Sequence, residues 1–77
     1  SRPARRRFRR VSFLRFGYRV DEVDLVAGRI ARYLESGESL TIEQVRTVAF
    51  RMQLRGYDEA QVDAVLDSVV DVMQSVG

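Results

Sequence analysis

Apolar residues recur at helical spacing along two stretches of the chain, separated by short polar segments that contain glycine. In the second stretch Val62, Val65, Val69, Val72 and Val76 follow one another at steps of three and four residues. Leu66 and Met73 widen this stripe, and Asp63, Asp67, Asp71 and Gln74 lie off it. That period marks an amphipathic helix and predicts one from about Glu59 to Val76, about 27 Å long at about 1.5 Å per residue. The first stretch, residues 20–36, carries the same stripe as Val23, Val26, Ile30 and Tyr33, with Ala27 and Leu34 beside it. Each seam spans roughly two heptads, too short for a self-sufficient coiled coil, so the two are expected to pack on each other or on a second chain. A third, short helix is predicted at Thr41-Ile42-Glu43-Gln44, whose residue types form a capping box. It should end between Phe50 and Gln53 and turn Val45, Val48 and Ala49 inward.

The two stretches are copies of one unit. Gly17-Tyr18 followed by Val23-Asp24 and Val26 returns as Gly56-Tyr57 followed by Val62-Asp63 and Val65, always with an offset of 39 residues. In copy two, Gly56 is expected to supply the positive φ of a sharp reversal, and Asp58 to cap the helix that follows. In copy one Arg19 stands where Asp58 caps, which leaves Asp21 to take over. The stretch Arg2 to Val11, rich in arginine and holding one proline, has no clean apolar face and predicts no helix. Gly37 should stop the first long helix. The expected organisation is an arginine-rich arm over 1–15, one repeat over 16–36, a linker over 37–39 and a second repeat over 40–77. The expected fold class is all-α: two helix-loop-helix repeats with their longer helices parallel and related by an approximate two-fold axis. Residues 37–57 are long enough to return along the helix and make this possible within one polypeptide.

Composition narrows the chemistry. Among 77 residues there is no Cys and no His, which removes thiolate and imidazole catalysis, disulfides and the usual zinc and haem ligands. No catalytic, metal or cofactor-binding residue is assigned, and the chain is read as no enzyme. Asp24 and Asp63 could form a carboxylate pair, but a dyad needs a cleft that a short helical pair seldom encloses; hydrogen bonds to loop backbone or to an arginine such as Arg55 are expected instead. Tyr18 and Tyr57 are expected to wedge the loops against the helices. No stretch is long and apolar enough to span a bilayer. Opening at Ser1-Arg2-Pro3 without Met, the sequence reads as a fragment whose missing parts could hold an anchor or a coiled coil.

Charge is unevenly placed. Residues 1–19 hold eight arginines and no acid, whereas the remainder holds five arginines against eleven carboxylates, so the parts stand at +8 and −6. An anionic partner for the arm follows from this asymmetry. Arg5, Arg6, Arg7, Arg9 and Arg10, with Phe8, Phe13 and Phe16 interleaved, could clamp an anionic lipid surface. Nucleic acid is a rival partner, and a solvated arm without a partner is the third reading.

Leu40-Thr41, Phe50, Leu54-Arg55-Gly56-Tyr57-Asp58 and Val62-Asp63 resemble the amino-terminal domain of the DivIVA family, scaffolds of bacterial cell division and polar growth. The likeness covers copy two and, through Phe16-Gly17-Tyr18 and Val23-Asp24, the later part of copy one. Tandem repeats of this kind suggest an actinobacterial protein, and lysine-free, arginine-rich usage suits a high-GC genome. The resemblance implies a domain whose long helices pair in parallel and whose loop presents an apolar residue and an arginine to the inner leaflet of the cytoplasmic membrane, at pole or septum. Carried over, those residues are Leu54 and Arg55 in copy two and Arg15 and Phe16 in copy one, although Leu54 stands where an aromatic is usual and copy one has the two types in swapped order. The implied partners are an anionic membrane surface, cell-division proteins, or both. The implied state is a monomer with intramolecular pairing or a homodimer.

Overall fold

The computed structural model describes Phe8, Arg10 and residues 15–76. Arg5, Arg6, Arg7 and Arg9 of the arm lie outside the described residues. The chain forms, in order, strand β1 (Phe16–Tyr18), helix α1 (Val20–Ser36), helix α2 (Ile42–Arg46), strand β2 (Met52–Leu54) and helix α3 (Glu59–Val76). The fold is thus mostly helical, as expected, but not all-α: the segments anticipated as loops pair into a two-stranded antiparallel ribbon.

Both long helices start and stop where their chemistry dictates. Asp58 caps α3 through a bond from the Ala60 amide to its Oδ1 (3.0 Å), which satisfies one of the amides a helix leaves unpaired at its start. Arg19 at the N-cap of α1 makes no such bond. Gln53 of β2 does it instead, its side-chain oxygen accepting the Val20 amide at 3.1 Å. Asp21 takes only the next-door Glu22 amide (2.9 Å) and holds the Arg19 guanidinium. Gly37 ends α1 in the left-handed conformation (φ 72°), its amide bonded to the Tyr33 carbonyl at 3.0 Å.

Helix α2 begins at the expected capping box, with Gln44 N to Thr41 Oγ1 at 3.1 Å and Thr41 N to Gln44 Oε1 at 2.9 Å. It ends at Arg46, well short of the Phe50–Gln53 boundary its pattern predicts. Thr47 closes it by returning its hydroxyl to the Glu43 carbonyl (2.8 Å), and tertiary bonds then draw the chain out of the helix. The Arg51 amide and guanidinium donate to the Glu22 carboxylate at 2.8 and 2.7 Å. The Arg51 carbonyl accepts the Arg19 amide at 2.9 Å. Those donors, the backbone amide first, hold Glu22 below the usual carboxylate range. As a result Val45 is buried and Val48 half-buried, while Ala49 faces solvent instead of the core.

The two Gly-Tyr segments cross backbone against backbone. β1 and β2 pair with Phe16 opposite Leu54, Gly17 opposite Gln53 and Tyr18 opposite Met52. Beyond them Tyr18 and Tyr57 exchange both main-chain bonds, at 3.0 and 2.9 Å. A Cβ on Gly17 would lie 2.3 Å from the Tyr57 carbonyl oxygen, and one on Gly56 would lie 2.4 Å from that of Tyr18. Gly56 is therefore required for close approach. The positive φ expected of it falls on Arg55, at 59°.

The core consists of two clusters. Val23 of α1, Val62 of α3 and Tyr57 are buried together, with Phe8, Tyr18, Val20, Phe50 and Leu66 packed around them. Val45 of α2 with Val70 and Met73 of α3 form the second, flanked by Tyr33, Leu40, Ile42, Leu66 and Val69. Ile30 is buried, and Val26 and Tyr33 are half-buried. The valine seam of α3 is only partly used: Val62 is enclosed and Val69 half-enclosed, but Val65 and Val72 are 39% and 48% exposed. The helix turns Val62, Leu66, Val70 and Met73 inward because it must face α2 as well as α1.

Replacing either crossing glycine should unfold the chain. Gly17→Ala or Gly56→Ala pushes a methyl into an opposing carbonyl, an overpacking cost of about 3 kcal/mol or more, comparable to the whole stability of a domain this small. Gly37→Ala meets no neighbour within 4 Å and should cost only the left-handed penalty of about 1–2 kcal/mol. Urea denaturation followed by circular dichroism ranks the three; equal midpoints for all would contradict the steric account.

Candidate functional site

The ribbon presents one apolar face to solvent. Directly opposed residues in an antiparallel pair share a face, so Phe16 with Leu54 and Tyr18 with Met52 stand on the same side. Of these, Tyr18 packs against the ring of Phe50 (centroids 5.1 Å apart), whereas Phe16, Leu54 and Met52 are 59%, 52% and 41% exposed. Arg15 and Arg55, both exposed, are joined at this end by a bond from the Arg55 amide to the Arg15 carbonyl (2.9 Å). Arg55 holds the left-handed conformation within a tight turn, closed by the Gly56 amide on the Gln53 carbonyl at 3.3 Å. Keeping an arginine at that φ costs about 1–2 kcal/mol relative to glycine, and such residues cluster where function constrains the chain. The four tip residues read from sequence, Arg15, Phe16, Leu54 and Arg55, are therefore brought together, and Met52 joins them unanticipated.

Behind the tip, the tyrosines lock the repeats to each other. Tyr57 is almost wholly enclosed, and its hydroxyl donates to Asp24 Oδ1 of α1 at 2.8 Å. Tyr18 donates to Asp63 Oδ1 of α3 at 2.9 Å. Each tyrosine thus reaches the helix of the other copy, so both aspartates accept from phenols, a partner not anticipated by the expectation of bonds to loop backbone or to an arginine such as Arg55. The ring contacts are reciprocal too. Phe8 packs on Tyr57 with centroids 5.5 Å apart, as Phe50 packs on Tyr18. Arg10 pairs with Tyr57 as an isolated bridge and places its guanidinium 6.0 Å from that ring's centroid, within reach of a cation–π attraction. Among the described residues no group of three or more acidic side chains is placed to hold a metal, and no helix is long and apolar enough to cross a membrane.

No family model matches this chain, and no curated protein or solved structure is significantly similar to it.

Burial, and then the hydrogen bond and charge of Asp63, push the Tyr18 phenol from its ordinary value near 10 up to about 12. The fold thus favours the neutral phenol. This contribution to stability is fully present below pH 10 and is lost as pH rises through about 12. Carbon-13 NMR of ring-labelled tyrosine should show the Tyr18 Cζ titrating late, and Asp63→Asn should bring it part of the way back. A Tyr18 signal that titrates near 10 in the folded protein would overturn the assignment.

Proposed function

We propose that this protein is a non-catalytic targeting module of the DivIVA type, which docks by the paired tip of its two repeats on the anionic inner surface of the cytoplasmic membrane, as part of bacterial cell-division or polar-growth machinery. In this reading α1 and α3 form a short parallel pair related by an approximate two-fold axis, so that one chain does what two identical chains would otherwise do. The reciprocal Tyr18–Asp63 and Tyr57–Asp24 bonds support the two-fold relation. So does the joint burial of Val23 and Val62 near the start of each helix, with Tyr33 packed on the cluster of Val70 and Met73 further along.

One observation carries the membrane reading: Phe16 and Leu54 sit side by side across the ribbon, half-exposed, with Arg15 and Arg55 beside them. Apolar side chains with a basic border suit the boundary between headgroups and acyl chains. Covering the exposed parts of a Phe and a Leu is worth roughly 2 kcal/mol together, and each arginine near anionic lipid adds about 1 kcal/mol. The arginine arm, which enters the fold at Phe8 and Arg10, would add to the same attraction.

Flotation with vesicles tests this directly. The protein should rise with phosphatidylglycerol vesicles and stay behind with phosphatidylcholine alone. Phe16→Ala with Leu54→Ala should cut the floated fraction at least tenfold while leaving the circular dichroism unchanged, because both side chains lie outside the core. Undiminished flotation of that variant would defeat the tip assignment. Failure of the parent protein to float would favour docking to protein without lipid contact.

A further inference from the structure

The chain holds two methionines and neither cysteine, histidine nor tryptophan. A thioether is therefore the softest group it offers to a peroxide, with no thiol to intercept the oxidant first. Met73 is enclosed, 5% exposed, in the cluster with Val45 and Val70. Met52, on β2, is 41% exposed. The fold shields one methionine and leaves the other open to solvent.

Register puts the open methionine at the tip. Alternate residues of a strand share a face, so Met52 stands on the side of Leu54, with Tyr18 directly across from it and Phe16 across from Leu54. Gln53, between them, belongs to the opposite face and accepts the Val20 amide. Because Tyr18 packs on Phe50, the exposed apolar surface of this face of the ribbon comes from Phe16, Leu54 and Met52. Of these three, only Met52 becomes a polar group under a mild oxidant.

We propose that Met52 is a reversible oxidation site that switches the tip off. The inference rests on the reading of the tip as a membrane-docking surface, and adds a control to it. In the forward step a lone pair of the Met52 sulfur attacks one oxygen of hydrogen peroxide and the O–O bond breaks. After proton transfer the other oxygen departs as water, and the sulfur, having given up two electrons, is a sulfoxide. In the reverse step a methionine sulfoxide reductase supplies two electrons from a pair of thiols, which join as a disulfide while the oxygen leaves as water. The sulfoxide is a strong dipole and hydrogen-bond acceptor, so its transfer to the boundary between headgroups and acyl chains is opposed where that of the thioether is favoured. Met52 belongs to neither core cluster, and the fold survives the change.

Peroxide treatment of the full chain, followed by peptide mass spectrometry and flotation with phosphatidylglycerol vesicles, tests the proposal. Met52 should gain its oxygen at least tenfold faster than Met73. The singly oxidised protein should float at least fivefold less than the untreated protein, with an unchanged circular dichroism spectrum, and reductases acting on both sulfoxide epimers should restore it. Met52→Leu should give the same floated fraction with and without peroxide, whereas Met73→Leu should remain sensitive. Oxidation of both methionines at one rate, a loss that the reductases fail to reverse, or peroxide sensitivity in Met52→Leu would overturn the proposal. Two further outcomes separate it from the reading beneath it. Untreated protein that fails to float defeats the docking reading and the switch together, whereas untreated and oxidised proteins that float equally defeat the switch alone.

Discussion

The contact on which this fold depends is the backbone approach of Gly17 and Gly56. Two chain segments close enough for a carbonyl oxygen to occupy the place of a side chain leave no room for any residue but glycine. That approach lets Tyr18 and Tyr57 exchange main-chain bonds and sets each ring at the start of the opposite long helix. Burial of Val23 and Val62 around Tyr57 follows from it. So does the placement of Phe16 opposite Leu54, since the register of the ribbon is set at the crossing.

Stability and exposure divide along the ribbon. Tyr18 and Phe16 share one face two residues apart, yet the first packs on Phe50 and the second meets solvent. The few enclosed side chains gather in two small clusters joined through Leu66. Little core is available, so polar ties carry a large share of the specificity: Gln53 on the first amide of α1, Glu22 on Arg51, and the two phenol–carboxylate bonds. Replacing a missing cap from a distant strand, as Gln53 does for Arg19, couples the start of α1 to the ribbon rather than to its own sequence.

Much of the helical framework was legible before the structure. The Thr41–Gln44 box, the Asp58 cap at the start of α3 and the Gly37 stop at the end of α1 each rest on local chemistry, which a sequence displays. What escaped notice depends on contacts across the chain. The strands, three residues each, are too short to show alternation. The early end of α2 is imposed by Glu22 and β2, neither of which its own pattern encodes. Heptad spacing does not distinguish the inward face of α3 from a second apolar face, and so it places Val65 and Val72 on a seam that the helix turns outward. The tip residues Arg15, Phe16, Leu54 and Arg55 are legible through resemblance to a known loop, whereas Met52 offers no such signal. The phenol–aspartate bonds had one: each Gly-Tyr is followed at the same distance by an aspartate, Tyr18 by Asp24 and Tyr57 by Asp63. That spacing showed a shared role but not that the partners are exchanged.

The exchange of partners bears on how the polypeptide reaches its native state. A tyrosine whose acceptor lies on the neighbouring half gains nothing from the early ordering of its own half, and the strands that cross are far apart along the chain. Closing so wide a loop costs entropy before any reward arrives. Isolated halves of this polypeptide therefore lack the counterpart that completes them.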